Sequence, residues 1–115
     1  DWYATAVDNY DRAIEAGGER SFHLVLRAVC VARLGNFDQA KEDIQEALAL
    51  EPKSGWRLFY AAQVYTLAGD RAEAFRHVDL ALEAGYARQQ FMREPAFEDY
   101  RGDTEFLALL ESPAS

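Results

Sequence analysis

From Leu24 onward the chain repeats itself at a spacing of 34 residues, and that spacing limits its fold more than any single motif does. A shift of 34 lays Leu24 on Leu58, Ala28 on Ala62 and Val31 on Tyr65. Without a gap, the same shift lays Gly35 on Gly69, Ala40 on Ala74, Ile44 on Val78 and Leu48 on Leu82. A fixed period between about 20 and 50 residues marks an array of supersecondary units, each burying its apolar face only against its neighbours.

Each unit reads as two helices joined by a tight turn. Leu58, Ala61, Ala62 and Tyr65 recur at i, i+3, i+4 and i+7, the spacing of one helical stripe. Gly69 ends that helix, because glycine accepts the left-handed conformation that helix C-termini favour. Asp70 follows as an N-cap whose carboxylate accepts from unpaired backbone N–H groups. Ala74, Val78, Ala81 and Leu82 form the inner stripe of the second helix. Small residues at Ala62, Ala74 and Ala81 let the two axes approach closely.

In these features the chain resembles the tetratricopeptide repeat family. The resemblance rests on Gly35-Asn36-Phe37, Ala40, Ile44, Ala47-Leu48 and Pro52, and then on Gly69-Asp70, Ala74, Val78 and Ala81-Leu82. Pro52 suits it by stopping the second helix before the next repeat. Departures are Arg27 in place of leucine, Leu24 and Leu58 in place of tryptophan, and Gly85-Tyr86 in place of an acidic residue and proline. The resemblance implies an all-α right-handed superhelix, an α-solenoid of antiparallel helix pairs, with about three repeats and a degenerate C-terminal cap. It divides the single domain 1–115 into a second helix of a truncated repeat (1–20), two repeats (21–54 and 55–86) and a degenerate closing unit (87–115).

Carried backward, the register lays Tyr3, Ala6, Tyr10, Ala13 and Ile14 on Phe37, Ala40, Ile44, Ala47 and Leu48. Residues 1–17 thus match a second helix without its first, and the chain is expected to be a piece of a longer protein. The exposed side of that helix should be apolar, with Trp2, Tyr3 and Val7 as candidates. Carried forward, the register lays Met92 on Leu58 and Ala96 on Ala62, but Pro95 interrupts the helix at a cost of about 3 kcal/mol. A short helix over 87–93, a turn or short helix over 95–100 and a last helix over 103–111 are predicted, with Asp103 as N-cap. Phe106, Leu107, Leu109 and Leu110 form its buried side. This tail resembles the closing segment of bacterial tetratricopeptide arrays.

The net charge of −8 with only two lysines argues against a nucleic-acid partner, whose phosphates call for a basic surface. No run approaches 18 apolar residues, so no membrane insertion is expected. The single cysteine, Cys30, lies inside a helix and reads as a buried, inert thiol. His23 and His77 lack a His or Cys at i+3 or i+4 and read as surface or half-buried residues rather than metal ligands. Glu42, Asp43 and Glu46 beside Lys41 read as a solvated face. Glu94, Glu98, Asp99 and Asp103 have nothing to position a substrate beside them. No phosphate loop, GxSxG or HExxH occurs. The chain is expected to be non-catalytic, with no cofactor and no metal.

A second stripe lies beside the packing stripe on the first helices. It holds Phe22, Val25, Leu26 and Val29 in one repeat and Trp56, Phe59, Tyr60 and Gln63 in the next, flanked by Arg27, Arg33 and Arg57. The resemblance implies that these helices line a concave, peptide-binding groove. The family's lysine and asparagine clamp for an acidic C-terminus is not expected here, since Val25 and Phe59 replace the lysines, and Val29 and Gln63 the asparagines. Such residues cannot supply the charge-assisted donors a carboxylate needs. An aromatic and aliphatic stripe suits an apolar peptide or helix. Three occupants fit it: the chain's own flanking segments, a second copy through self-association, or a partner protein with apolar anchors. The eight stripe residues are therefore the candidate partner-binding set. The alternative function is an accessory segment of a larger enzyme or transcription regulator, docking on its own catalytic domain.

Overall fold

The computed structural model describes residues 1–111, and every regular element among them is a helix. In chain order these are α1 (Trp2–Glu15), α2 (Arg20–Arg33), α3 (Phe37–Leu50), α4 (Gly55–Leu67), α5 (Arg71–Glu83), α6 (Arg88–Arg93), a 3-10 turn (Pro95–Tyr100) and α7 (Thr104–Glu111). Gly35 and Gly69 set the two corners inside the pairs, with φ of 87° and 77°. At each corner the residue after the glycine sends its N–H back across the last turn, Asn36 to the Val31 carbonyl and Asp70 to the Tyr65 carbonyl, both at 2.9 Å. That bond satisfies a carbonyl the helix end would otherwise leave unpaired. Each of these residues then caps the next helix, Asn36 accepting from the Gln39 N–H at 3.4 Å and Asp70 from the Glu73 N–H at 3.3 Å. One dipeptide thus closes one helix and opens its partner.

Successive pairs stack into an α-solenoid measuring 42 × 27 × 21 Å. α2 packs most heavily on α3 and α4 on α5, while α2 and α3 both lean on α4. The close approach follows from alanine. Ala28, Ala40, Ala47, Ala62, Ala74 and Ala81 are wholly buried, and Leu24, Ile44, Leu58, Val64 and Val78 fill the space between them. Burial of each such aliphatic side chain contributes about 1.5–3 kcal/mol.

Polar side chains lock the register. Asp43 is 3% exposed and receives the Arg27 guanidinium through two bonds of 2.8 and 2.9 Å, with the Gln39 amide donating at 2.9 Å. Arg27 also reaches Asp11 on α1 at 2.9 Å, so one cation spans three helices and its pKa is raised by these carboxylates. Asp43 therefore does not belong to a solvated acidic face but lies in the interior, whereas Glu46 is on that exposed face and pairs there with Arg20. Glu42 is exposed on the same side of α3.

The C-terminal segment breaks where Pro95 requires. α6 stops at Arg93, and Pro95 opens the 3-10 turn at a position where its missing N–H costs nothing. Asp103 accepts from the Phe106 N–H at 3.0 Å and pairs with Arg71 at 2.7 Å. The repeat register slips by one residue here. Phe91, not Met92, enters the core, and Met92 is exposed. Phe91, Phe97 and Phe106 are wholly buried and join Phe75 and Tyr100 in a continuous aromatic cluster over the end of the array.

Candidate partner-binding face

The stripe expected on α2 and α4 divides into two layers. Phe22, Leu26 and Val29 stand at i, i+4 and i+7 on α2, with Phe22 39% exposed and the other two half-buried. Across from them, Trp56 and Tyr60 are also half-buried. The Phe22 and Trp56 rings meet edge to face at 5.6 Å, and Trp56 and Tyr60 at 5.9 Å. Such rings prefer tilted contacts because their negative faces attract positive edges. The result is an aromatic ladder crossing from one helix to the next.

Val25, Phe59 and Gln63 do not share that surface. They are 0%, 5% and 2% exposed and form the floor beneath it. The floor is made by the chain itself: Phe59 stacks on Tyr86 at 4.6 Å and meets Phe91 at 4.9 Å and Phe97 at 5.8 Å. The register alone could not place the tail over Phe59, because the covering residues come from the segment where the repeat breaks down. Of the eight stripe residues, Phe22, Leu26, Val29, Trp56 and Tyr60 remain at least partly exposed.

The expected flanking cations are also redistributed. Arg57 is buried, and its guanidinium lies over the Trp56 ring, 4.4 Å from the centroid. Its guanidinium donates to Ser21 Oγ at 2.7 Å, Ser54 Oγ at 3.1 Å and Glu19 at 2.9 Å. Ser21 passes the network on to the Ala47 carbonyl at 3.1 Å. Arg57, anchored by these bonds, thus offers Trp56 a cation against its ring. Arg27 faces α1 and α3, and of the three only Arg33 is exposed.

The remaining titratable groups have structural settings. Cys30 is buried, and burial pushes its thiol pKa up. His77 is buried rather than at the surface. Its Nδ1–H donates to the Glu73 carbonyl at 2.7 Å, its ring stacks on Tyr65 at 4.8 Å, and burial lowers its pKa. Among the described residues no cluster of three or more His, Cys, Asp or Glu is arranged to hold a metal, and no helix is long and apolar enough to cross a membrane.

A comparison with curated proteins gives a partial match. The likeness is to Sperm-associated antigen 1 of Rattus norvegicus. The two are 29% identical over 94 residues, covering 67% of this chain and 10% of the rat protein. The all-helical pairwise packing makes the chain an α-solenoid of helical repeats, and this likeness points toward repeats like those of the tetratricopeptide family. The chain spans about a tenth of that relative's length. No family model matches the chain, and no solved structure matches it significantly.

Proposed function

We propose that this chain is a non-catalytic protein-interaction module that binds a peptide or helix with apolar anchors on the ladder Phe22–Trp56–Tyr60 and the adjoining Leu26 and Val29. One observation carries the reading: large aromatic side chains stand side by side on adjacent helices, are left partly uncovered, and pack against one another and against Arg57. Trp and Tyr are the residue types that dominate interface energetics. A ring already fixed by packing loses little conformational freedom on binding. The floor of Val25, Phe59 and Gln63 supports the face without touching the partner. The likeness to a protein with repeats of the same kind agrees with an interaction role.

The test uses amphipathic peptides selected by display against the folded domain. Phe22→Ala together with Trp56→Ala should weaken the selected binders at least tenfold, in line with loss of a hot-spot pair, while the variant keeps its helical signal. Binders that hold the double variant as tightly as the parent chain would place the interaction on another surface.

A further inference from the structure

An open hollow of about 560 Å³ is walled mainly by α3 and α5, and no residue of the aromatic ladder lines it. Two of its lining side chains, Tyr65 and His77, are only 5% and 3% exposed, and their rings stack at 4.8 Å. His77 is committed at one nitrogen. Its Nδ1 lies 2.7 Å from the Glu73 carbonyl, and a carbonyl oxygen cannot donate, so Nδ1 carries the proton. The neutral ring then keeps a lone pair on Nε2. Burial favours that neutral form. Neither Nε2 nor the Tyr65 hydroxyl has a hydrogen-bond partner among the described residues, and neither is sealed from solvent; the sealed, unpartnered side-chain atom is His23 Nδ1. Two deeply set side chains thus leave one acceptor and one hydroxyl donor unused.

The charged groups around the hollow already answer one another. Arg76 Nε donates to Glu73 at 2.9 Å. Lys41 lies 3.9 Å from Asp70, whose carboxylate also accepts from the Glu73 N–H. Two cations against two carboxylates leave no net charge to attract an ion, and an ionic ligand would have to displace one of these pairs. The third neutral polar group is Gln45 of α3, which lines the same hollow and is exposed. Its carboxamide bonds no described residue.

We propose that this hollow is a second binding site, for a neutral carboxamide carried by an asparagine or glutamine side chain of a partner peptide. One N–H of that group donates to His77 Nε2, its carbonyl accepts from the Tyr65 hydroxyl, and its second N–H donates to the Gln45 carbonyl. The group has two donors and an acceptor in one plane, which matches this set. A carboxylate has no proton for Nε2, an ammonium has no lone pair for the Tyr65 proton, and a hydroxyl has a single donor and leaves Gln45 unmatched. The site shares no residue with the ladder, so the two fail or hold independently.

The experiment titrates chain 1–115, isotope-labelled at histidine, with tripeptides blocked by acetyl and N-methylamide groups. They carry Gln, Glu, Lys or Ser between two glycines. The imidazole nitrogen resonances are followed, with His23, which does not line the hollow, as internal control. The Gln peptide should move the His77 Nε2 resonance saturably and leave His23 in place. It should bind about threefold to tenfold more tightly than the other three, the difference expected of one neutral hydrogen bond. Tyr65→Phe keeps the stacked ring and should weaken the Gln peptide by a similar factor. Gln45→Ala, at an exposed position, should do the same with the helical signal intact, and it decides the matter where Tyr65→Phe unfolds the chain. Equal binding of the Glu or Lys peptide would overturn the assignment to a neutral ligand, and equal binding of the Ser peptide would overturn the carboxamide. A His77 resonance that no peptide moves would remove the site altogether.

Discussion

Phe59 and Phe22 lie on neighbouring helices of one stripe, yet their surroundings assign them opposite roles. Phe59 is enclosed by Tyr86, Phe91 and Phe97, so Phe59→Ala removes a packed ring and leaves a cavity. A loss of about 3–5 kcal/mol is expected in urea unfolding, whereas Phe22→Ala should cost well under half of that. Equal losses would show that Phe22 is also core. His77 gives a second residue-scale expectation. Its folded pKa lies below the unfolded value of about 6.5 because burial disfavours the imidazolium. The stability it confers is therefore fully present above the unfolded pKa and is lost as pH falls through the lower folded one. Glu73, Asp70 and Arg76 are the charged groups around the ring. In His77→Gln the melting temperature should fall less between pH 7 and pH 5 than in the parent chain. Parallel pH profiles would remove His77 from the acid response.

At the scale of elements, the turns carry more specification than the helices they join. The α2–α3 and α4–α5 turns each contain one glycine with positive φ and one capping residue. A side chain at Gly69 would meet open space, so any cost of substitution comes from the backbone and not from a clash. Gly69→Ala should destabilise the chain by about 1–2 kcal/mol, read as a shift of the urea midpoint with an unchanged slope. A change in slope would mean that the α4–α5 pair comes apart separately. The Arg27–Asp43–Asp11 contacts act at the same scale, tying α1 to the first complete pair through a single guanidinium. A buried pair of this kind fixes register more than it adds stability, because desolvation offsets much of the attraction.

Over the whole molecule, the two ends of the described residues differ: the C-terminal segment contributes buried aromatic rings, whereas α1 has no buried side chain. α6, the 3-10 turn and α7 cover the last pair with Phe91, Phe97 and Phe106, and Arg71 is clasped by Asp103 and Glu105. A chain ending at residue 86 should leave Phe59 and Phe75 in contact with water, melt at a lower temperature and bind an apolar dye. An unchanged melt would mean that the segment 87–111 is dispensable for the fold. A solenoid distributes stability among nearest neighbours, so this loss should fall first on α4 and α5 and least on α1.

The sequence by itself determined the all-α architecture, the pairing of helices and the positions of their corners. Those features depend on neighbours within one repeat: the 34-residue shift, the stripes at i, i+3, i+4 and i+7, and the Gly35-Asn36 and Gly69-Asp70 dipeptides. Pro95 and Asp103 likewise marked where the tail breaks and restarts. Only the tertiary structure decided which stripe residues stay accessible, because accessibility depends on segments far away in the chain. The tail covers Phe59 where no period could predict it. Arg27 and Arg57 read as groove cations in one dimension, yet they turn to carboxylates and hydroxyls on other helices. Asp43 sits in an acidic run but is inside, bonded to the Arg27 guanidinium. A periodic sequence states which face of a helix is apolar. Which neighbour buries that face is settled only when the whole chain is packed.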